Sequence, residues 1–209
     1  MSSIKAVLTA DIVNSSILSE KDLNDLLFAI KTELKWQKTK SDFYRGDSFH
    51  ALCETDQALT LALRLRAIAL QGIWQRKKQI IDIRIAIGIG PVDEPVKNMA
   101  TAKGEAFMLS GRELDVIDKT TDRLALRCLD KKVDAGLQAV ALLADSVMQK
   151  MSQKQAQAVG ELLTGATQME TARKLSKTQP TINKLAQSAN WNDLEKSIEI
   201  YRKLVSLIE

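Results

Sequence analysis

The residue types that most often carry metal or catalytic chemistry are scarce in this chain of 209 residues. It contains one histidine, His50, and two cysteines, Cys53 and Cys128, which are too few for an ordinary structural zinc site. Both cysteines lie in apolar, strand-like runs, which is typical of reduced core thiols in a cytosolic protein. We interpret His50, on the flank of a strand, as a structural residue.

Four short motifs occur in order between Val7 and Leu114. They are Leu8-Thr9-Ala10-Asp11-Ile12-Val13-Asn14-Ser15-Ser16, Arg45-Gly46-Asp47-Ser48-Phe49, Arg84-Ile85-Ala86-Ile87-Gly88-Ile89-Gly90 and Gly104-Glu105-Ala106-Phe107-Met108-Leu109-Ser110-Gly111-Arg112. The first resembles the opening strand of class III nucleotidyl cyclases, which has an acidic residue followed by Ile and a Ser/Thr turn. The second resembles their metal-binding hairpin, which diguanylate cyclases share. The last two resemble a glycine-containing strand and an arginine-bearing helix of the same enzymes.

This resemblance implies a site for a divalent metal. In such cyclases, metal ions lower the pKa of a ribose hydroxyl and neutralise a triphosphate, so a carboxylate of the first strand must meet one of the hairpin. Asp11 and Asp47 occupy these positions, with the backbone carbonyl of Ile12 as a further ligand, and Mg²⁺ or Mn²⁺ suits oxygen ligands of this kind. Arg112 matches the arginine that stabilises charge on the phosphate, and it is the catalytic residue if the site is active.

Other parts of a cyclase site are missing from the sequence. Met108 stands where the family has an asparagine that orients the ribose, and Phe43 and Thr101 stand at its two base-reading positions. Losing an orienting group costs orders of magnitude in rate, so we expect no ordinary cyclase activity. We expect Phe43 and Met108 to form an apolar slot for a ligand. The predicted nucleotide contacts are Phe43, Thr101, Met108 and Arg112.

The charged residues also have purely structural explanations, which the sequence leaves open. Asp11 would cap the turn that follows it, and Asp47 would shape the hairpin. Arg112 would pair with Asp115 on the surface of a helix.

A second pattern lies near the end of the chain, where three helices are predicted at residues 152–163, 168–175 and 179–188. Thr167 is the predicted N-cap of the second helix, and a short turn precedes the third. Ala172 is small where two helices would meet closely, and Ile182 is apolar where they would share a core. The pattern resembles the helix-turn-helix of many bacterial regulators, with Ser176 in place of the usual turn glycine and Lys177 in place of the apolar residue after it.

The resemblance implies that the third helix enters the major groove of duplex DNA with its N-terminus first. Gln179 and Asn183 suit adenine, which presents a donor and an acceptor side by side. Lysines nearby would contact phosphates, which adds affinity without sequence information. The predicted DNA-binding residues are Lys174, Lys177, Thr178, Gln179, Thr181, Asn183 and Lys184. The alternative is a three-helix bundle used for dimerisation, whose basic residues are only solvated.

A cyclase-like region followed by a helix-turn-helix resembles the SatD family of bacterial proteins over nearly the whole chain. The resemblance implies a cytoplasmic, DNA-binding regulator of transcription. Its degenerate cyclase-like domain, residues 1–145, would act as a sensor or dimerisation unit and precede a helix-turn-helix domain, residues 146–209. Class III cyclase domains pair head to tail, so a homodimer is implied. Two alternatives are a divergent nucleotidyl cyclase with a regulatory tail, and an interaction module that binds neither DNA nor nucleotide.

The elements that must position these residues alternate between strands and helices over the first 130 residues. Strands are predicted at residues 4–13, 80–89 and 123–129, with a hairpin at 41–53 that folds at Arg45-Gly46-Asp47. Helices are predicted at residues 19–34, with Ser19 as N-cap, and at 55–73 and 104–117. This order predicts an α+β domain with a ferredoxin-like βαββαβ sheet, covered by helices on one face. From residue 133 only helical periodicity continues, with a domain boundary within a helix near residues 146–152 and a last amphipathic helix at 191–208.

Composition and charge narrow the class of protein. With 45% hydrophobic and 27% charged residues, the chain is of the globular type and not a disordered one. No apolar run approaches the ~20 residues that span a bilayer, since Arg64 and Arg66 interrupt the longest, residues 60–73, so no membrane contact is expected. The net charge is +4, of which +3 lies in residues 146–209, and this favours a polyanionic partner for the tail. We interpret the run Arg76-Lys77-Lys78 as a solvated helix end.

Overall fold

The computed structural model describes residues 2–44, 46–72, 74 and 79–208, and of Ala100 only the backbone. The strands are β1 (Ser2–Val13), β2 (Lys40–Tyr44), β3 (Ser48–Cys53), β4 (Asp82–Asp93) and β5 (Leu124–Cys128). The helices are α1 (Glu20–Trp36), α2 (Ala58–Leu70), α3 (Glu105–Ile117), α4 (Lys131–Met148), α5 (Gln153–Leu162), α6 (Gln168–Lys174), α7 (Gln179–Ser188) and α8 (Trp191–Val205). Short 3-10 turns occupy Ser15–Ile17, Thr55–Gln57 and Met99–Thr101. Arg45, Ile73 and the run Arg76-Lys77-Lys78, for which the sequence made predictions, lie outside the described residues.

The five strands form one sheet in the order β2-β3-β1-β4-β5. Neighbouring strands are antiparallel except for β4 and β5, which are parallel. The predicted mixed α+β class is therefore confirmed. In this register Asp11 on β1 lies opposite Ser48 on β3 and opposite Arg84 on β4. The central strand thus brings its acidic residue between two neighbours at one end of the sheet.

Helices cover both faces of the sheet, because alternate residues of β1 point to opposite sides. Leu8 and Ala10 belong to the main hydrophobic core, together with apolar residues of α1 and α2. Val7 packs with Ala106 of α3 in a second cluster, and the buried hydroxyl of Thr9 lies 2.7 Å from the hydroxyl of Ser110 on α3. The prediction that helices cover a single face is therefore wrong.

A glycine allows α3 to approach the second face. A Cβ built on Gly88 of β4 would lie 2.2 Å from the backbone oxygen of Ala106 and 2.6 Å from the amide nitrogen of Ser110. Any side chain there would push the helix away from the strand. The helix therefore lies directly on β4 and β1, the two strands that carry Arg84 and Asp11.

Local signals placed the starts of α1, α6 and α7 correctly, whereas the helix predicted from Thr55 is wrong at its start, since residues 55–57 form a 3-10 turn and α2 begins at Ala58. The hydroxyl of Ser19 accepts a hydrogen bond from the amide of Asp22 at the start of α1, as predicted. Thr167 caps α6 in a complete capping box with Glu170. The bounds of α7 agree with the predicted helix, and the strand predicted at residues 80–89 runs on to Asp93 because the N-terminal part of β1 pairs with it.

The C-terminal helices share the core of the sheet region. Ala156 and Val159 of α5 and Leu194 and Tyr201 of α8 belong to the same buried cluster as the strands. Tyr201 is fully buried, and its hydroxyl donates a hydrogen bond of 2.5 Å to the carbonyl of Thr55. The predicted boundary near residues 146–152 falls at the break between α4 and α5, but apolar residues on both sides pack together. A separate helix-turn-helix domain is therefore not confirmed.

A buried arginine connects the sheet to these helices. Arg66 on α2 is completely buried, and its Nη2 and Nη1 lie 2.7 Å from Asp82 Oδ2 at the start of β4 and 2.7 Å from Asp145 Oδ1 on α4. The second oxygen of Asp145 accepts hydrogen bonds from the amide of Arg123, at 2.8 Å, and the side chain of Gln149, at 2.9 Å. Burial alone would lower the pKa of Arg66, but the two carboxylates raise it above its usual value, so the guanidinium is charged.

Replacing Arg66→Met is expected to lower the free energy of unfolding by about 3–5 kcal/mol, because two carboxylates would be left buried without their cation. Urea unfolding followed by circular dichroism measures this difference. Arg202→Met makes the same substitution at an exposed arginine of α8, and it should change stability by less than about 0.5 kcal/mol. Equal unfolding midpoints for the two variants would contradict the role given to Arg66.

Candidate functional site

Asp11 and Asp47 lie close together at one end of the sheet. The amide of Ile12 donates a hydrogen bond of 3.2 Å to the carbonyl of Asp47, directly after Asp11 in the chain. The turn between β2 and β3 reverses at Gly46, whose φ of +84° is a left-handed conformation that glycine adopts at little cost. The two predicted carboxylates are thus brought together by strand pairing and by this turn.

The Asp11 carboxylate is only partly neutralised. Its Oδ2 accepts a hydrogen bond of 3.0 Å from Arg84 Nη1, whereas its Oδ1 is buried with no hydrogen-bond partner in the described part of the chain. Burial raises the pKa of Asp11 above its usual value; Arg84 opposes this shift, and the charges of Asp118 and Asp47 add to it. An acceptor without a donor is costly, so this oxygen is suited to a cation or a proton.

Arg84 is the part of the site that the sequence analysis missed. It lies in one of the four motifs, but no role was given to it there. Its guanidinium contacts Asp11 and also Asp118 at the end of α3, while its Nε is buried without an acceptor among the described residues. The signal that could have revealed it is the pairing register, because an arginine opposite an aspartate on an adjacent strand forms a cross-strand pair.

Asp47 is held by hydroxyl groups. Its Oδ2 accepts a hydrogen bond of 2.5 Å from Ser15 Oγ, and its Oδ1 one of 3.3 Å from Ser48 Oγ. These contacts tie the hairpin to the turn after β1, so Asp47 does shape the hairpin. They also fix the direction of its carboxylate beside Asp11.

These residues fit a hard divalent cation that also binds phosphate. Asp11 offers a carboxylate oxygen that has no hydrogen-bond donor, and Asp47 offers a second carboxylate. Mg²⁺ commonly binds one or two protein carboxylates, and water and phosphate complete its coordination shell. No cluster of three or more His, Cys, Asp or Glu able to hold a metal occurs in the described ranges. The carbonyl of Ile12 as a third ligand stays a prediction.

The predicted nucleotide contacts are not assembled within one chain. Phe43 packs on the α1 side of the sheet, where its ring stacks on Phe49 at 5.1 Å between centroids and lies 4.7 Å from Lys31 Nζ. Met108 lies on α3, across the sheet, and half of its surface is exposed. Phe43 and Met108 of one chain therefore do not face each other, since residue parity along β2 places Phe43 on the opposite face. A slot that they would form between two chains stays a prediction.

Arg112 and Thr101 lie on the α3 side of the sheet, and both are exposed. Arg112 is on α3 itself, whereas Thr101 belongs to the 3-10 turn Met99–Thr101 that precedes it. No ion pair joins Arg112 to Asp115 in the part of the chain that the structure describes. Arg112 is thus free to meet an anion from solvent, as its predicted role requires.

Helices α5, α6 and α7 form the compact arrangement that the sequence predicted. Ala158, Ala172 and Ile182, one from each helix, share a small buried cluster. Ser176 adopts φ +52°, a left-handed conformation that glycine adopts at little cost, and the amide of Lys177 closes the turn with a hydrogen bond of 2.8 Å to the carbonyl of Ala172.

The first turn of α7 presents polar side chains to solvent. Thr178 is its N-cap, and the hydroxyl oxygens of Thr178 and Thr181 lie 2.9 Å apart. Lys177 is half-buried, and Lys174 forms an ion pair of 2.6 Å with Glu161 of α5. The remaining predicted DNA contacts are exposed: Thr178, Gln179, Thr181, Asn183 and Lys184.

No protein-family model matches the sequence. No curated protein matches it either. A bacterial light-regulated adenylyl cyclase is 14% identical with a TM-score of 0.45, over 60% of this chain and 76% of that one. The guanylate cyclase domain of RhGC from Catenaria anguillulae, in complex with GTP, is 21% identical with a TM-score of 0.42, over 54% of this chain and 72% of that one. The active GGEEF domain of a diguanylate cyclase from Vibrio cholerae is 12% identical with a TM-score of 0.44, over 60% of this chain and 82% of that one.

These three solved structures to which the chain is similar are thus all cyclase domains or cyclases. Separately, none of the helices in the described ranges has the length and apolar character needed to cross a bilayer.

Mg²⁺ or Mn²⁺ is expected to raise the melting temperature of the full chain, and the rise should grow with the logarithm of the metal concentration once that exceeds the dissociation constant. Folding raises the pKa of Asp11, so between its ordinary and its raised pKa the folded state binds more protons than the unfolded state. The metal-free protein therefore loses stability as the pH rises through this range. The metal needs the ionised carboxylate, so its effect should be larger at about pH 7 than at about pH 4. Differential scanning calorimetry measures both.

Asp11→Asn and Asp47→Asn are expected to abolish the metal effect, whereas Asp115→Asn, at an exposed position of α3, should retain it. Arg112→Ala should remove only the extra stabilisation given by a nucleoside triphosphate added with the metal. Identical melting of all variants with and without metal would contradict a cation site.

Proposed function

We propose that the protein is a DNA-binding regulator in which a helix-turn-helix is joined to a degenerate cyclase-like unit with a ferredoxin-like sheet, as in the SatD family that its sequence resembles. The observation that carries the proposal is the exposed, capped N-terminus of α7. Its polar residues face solvent while Ile182, on the other side of the helix, is fully buried against α5 and α6. A helix held in this way can enter a groove without losing its packing.

The chemistry of this surface suits duplex DNA. Gln179 and Asn183 carry amides that can form paired hydrogen bonds with adenine. Lys177 and Lys184 are cations that would contact phosphates. The residues we assign to the interface are those predicted from the sequence: Lys174, Lys177, Thr178, Gln179, Thr181, Asn183 and Lys184.

The Asp11–Asp47 site supports a sensory role for the sheet region. In this proposal Asp11 and Asp47 hold Mg²⁺ or Mn²⁺, and Arg112, exposed on α3, binds a phosphate of a nucleotide ligand. The metal would supply positive charge that neutralises the phosphate. Phe43, Thr101 and Met108 would contact the rest of the nucleotide, and because they lie on separate faces of one chain they would have to come from two chains.

A homodimer is part of the same proposal. Twofold symmetry would present two copies of α7 about one turn of DNA apart, ~34 Å, as in other dimeric helix-turn-helix proteins. Because α5 and α8 share the core of the sheet, the pairing of two sheet regions would fix that separation. The cytoplasm is the compartment in which such a regulator would act.

The adjacency of Asp11 and Asp47 favours one second candidate, a divergent nucleotidyl cyclase that uses the helix-turn-helix as a regulatory tail. Arg84, however, already occupies one side of Asp11, and Met108 cannot orient a ribose. A protein-interaction module that binds neither DNA nor nucleotide would leave the exposed polar face of α7 unexplained.

The full chain is expected to bind duplex DNA from the region upstream of its own gene, with an affinity that falls as salt rises. Gln179→Ala should relax sequence preference by about 1–3 kcal/mol at one base pair, whereas Lys184→Ala should weaken all sequences alike and reduce the salt slope by about one. Electrophoretic mobility and fluorescence anisotropy measure these effects.

Lys131→Ala, at the exposed start of α4 and away from α6 and α7, is the matched control and should bind as the unmodified chain does. The proposal fails if the unmodified chain shows no salt-dependent binding to any genomic fragment.

Purified protein with Mg²⁺ or Mn²⁺ is expected to form no cyclic nucleotide from any common triphosphate above the level of an Asp47→Ala variant, because no side chain at residue 108 orients the ribose. Chromatography of the reaction products measures this. Product that disappears in Asp47→Ala would replace the regulator with the divergent cyclase.

A further inference from the structure

The second half of α1 and the residues after it form an exposed basic surface. Lysines stand at positions 31, 35, 38 and 40, whereas the acidic residues of α1 lie mostly in its first two turns. Glu33 is the exception, but it is buried, and Arg64 of α2 binds both of its oxygens at 2.6 Å. The positive charge of this segment is therefore not balanced by an accessible carboxylate of its own.

Among the exposed side chains of this segment are Lys35, Trp36 and Lys38, and we call these three the α1 basic surface. Neither lysine lies within ion-pair distance of a carboxylate in the described part of the chain. The Trp36 side chain is 64% exposed, and the guanidinium carbon of Arg64 lies 5.4 Å from the centre of its ring. The exposed indole of Trp36 thus makes a cation–π contact with Arg64, whose guanidinium is fixed by Glu33.

A series of contacts through α2 and α5 leads from the α1 basic surface to the end of α6. Lys174 at the end of α6 forms an ion pair with Glu161 of α5. Gly160, the residue before Glu161, packs against Ala67 of α2: a Cβ built on Gly160 would lie 3.3 Å from the Cβ of Ala67. Arg64 lies one helical turn before Ala67 on α2 and reaches back to α1.

Electrostatics agrees with this proximity. Burial alone would raise the pKa of Glu33, but hydrogen bonds from Arg64 and Gln37 and the charge of Lys174 lower it below its usual value. The charge of Lys174 thus adds to the effect of Arg64 in favouring the ionised form of Glu33.

Exposed lysines beside an exposed indole suit a polyanion that also offers a flat or apolar surface, which describes both duplex DNA and an anionic lipid layer. The position of the surface decides between them. Trp36 lies beside Arg64 of α2, α2 packs on α5, and Glu161 of α5 pairs with Lys174 at the end of α6. We propose that DNA bound at α7 also contacts the α1 basic surface, so that Lys35 and Lys38 bind phosphates beyond the recognition helix. This inference rests on the proposed function, and it extends the DNA interface from the helix-turn-helix onto the sheet region.

The test compares Lys35→Gln/Lys38→Gln with Lys131→Gln/Lys132→Gln, which removes two exposed lysines from the start of α4. Binding of the full chain to a long duplex is measured by fluorescence anisotropy between about 50 and about 200 mM salt. If Lys35 and Lys38 each bind one phosphate, their variant should show a salt slope less steep by about 1.8, and the control variant should keep the slope of the unmodified chain. On a duplex trimmed to the site of α7, the two variants should behave alike.

Tryptophan fluorescence gives a second readout that does not depend on the lysine variants folding. DNA should quench the unmodified chain more than Trp36→Phe, since Trp36 would lie at the interface. Equal salt slopes for the two lysine variants, or equal quenching, would overturn the inference while leaving the proposed function intact as long as the unmodified chain binds DNA. Absence of DNA binding by the unmodified chain would overturn both. Binding to phosphatidylserine vesicles that needs Lys35 and Lys38, with unchanged DNA binding, would assign the surface to a membrane instead.

Discussion

The buried charge of Arg66 is the constraint on which much of the architecture depends. A guanidinium in an apolar core must be paired, and its partners come from the start of β4 and from α4. Asp145 in turn accepts the amide of Arg123 just before β5, so one side chain on α2 fixes the end of the sheet and the helix that leads out of it. The helices after α4 are then positioned by packing on α2 and α4, and not by a linker.

The candidate metal site depends on a second arginine in a less enclosed setting. Arg84 lies between Asp11 and Asp118, and it leaves one oxygen of Asp11 without a donor. The arginine therefore lowers the electrostatic cost of placing two aspartates near each other without removing the tendency of Asp11 to take up a proton or a cation. A cation that binds Asp11 must share that carboxylate with Arg84. The affinity for the cation is therefore the gain from its contact with Asp11, reduced by any weakening of the contact between Asp11 and Arg84.

Local features of the structure could be predicted from the sequence, because they depend on neighbours along the chain. The caps at Ser19 and Thr167 and the bounds of α7 follow from hydrogen bonds that span three residues. The pairing of Arg66 with Asp145 could not be predicted in this way, since 79 residues separate them and the sequence shows only an arginine in an apolar run. The face chosen by α3 was missed because β1 is buried on both sides, which removes the alternation that would reveal it. Phe43 could have been placed correctly from strand parity, because it pairs with Phe49, a core residue.

The burial of Tyr201 and Val159 in the core of the sheet region limits how such a protein can diversify. A helix-turn-helix on a flexible tether can be exchanged between proteins as a cassette, because neither part loses packing when the tether is cut. Here the same exchange would expose to solvent the apolar surface that the sheet region and the C-terminal helices now bury against each other. In the proposed regulator, new operator specificity would therefore have to arise by point substitution on the exposed side of α7, with the buried residues of α5, α7 and α8 kept constant.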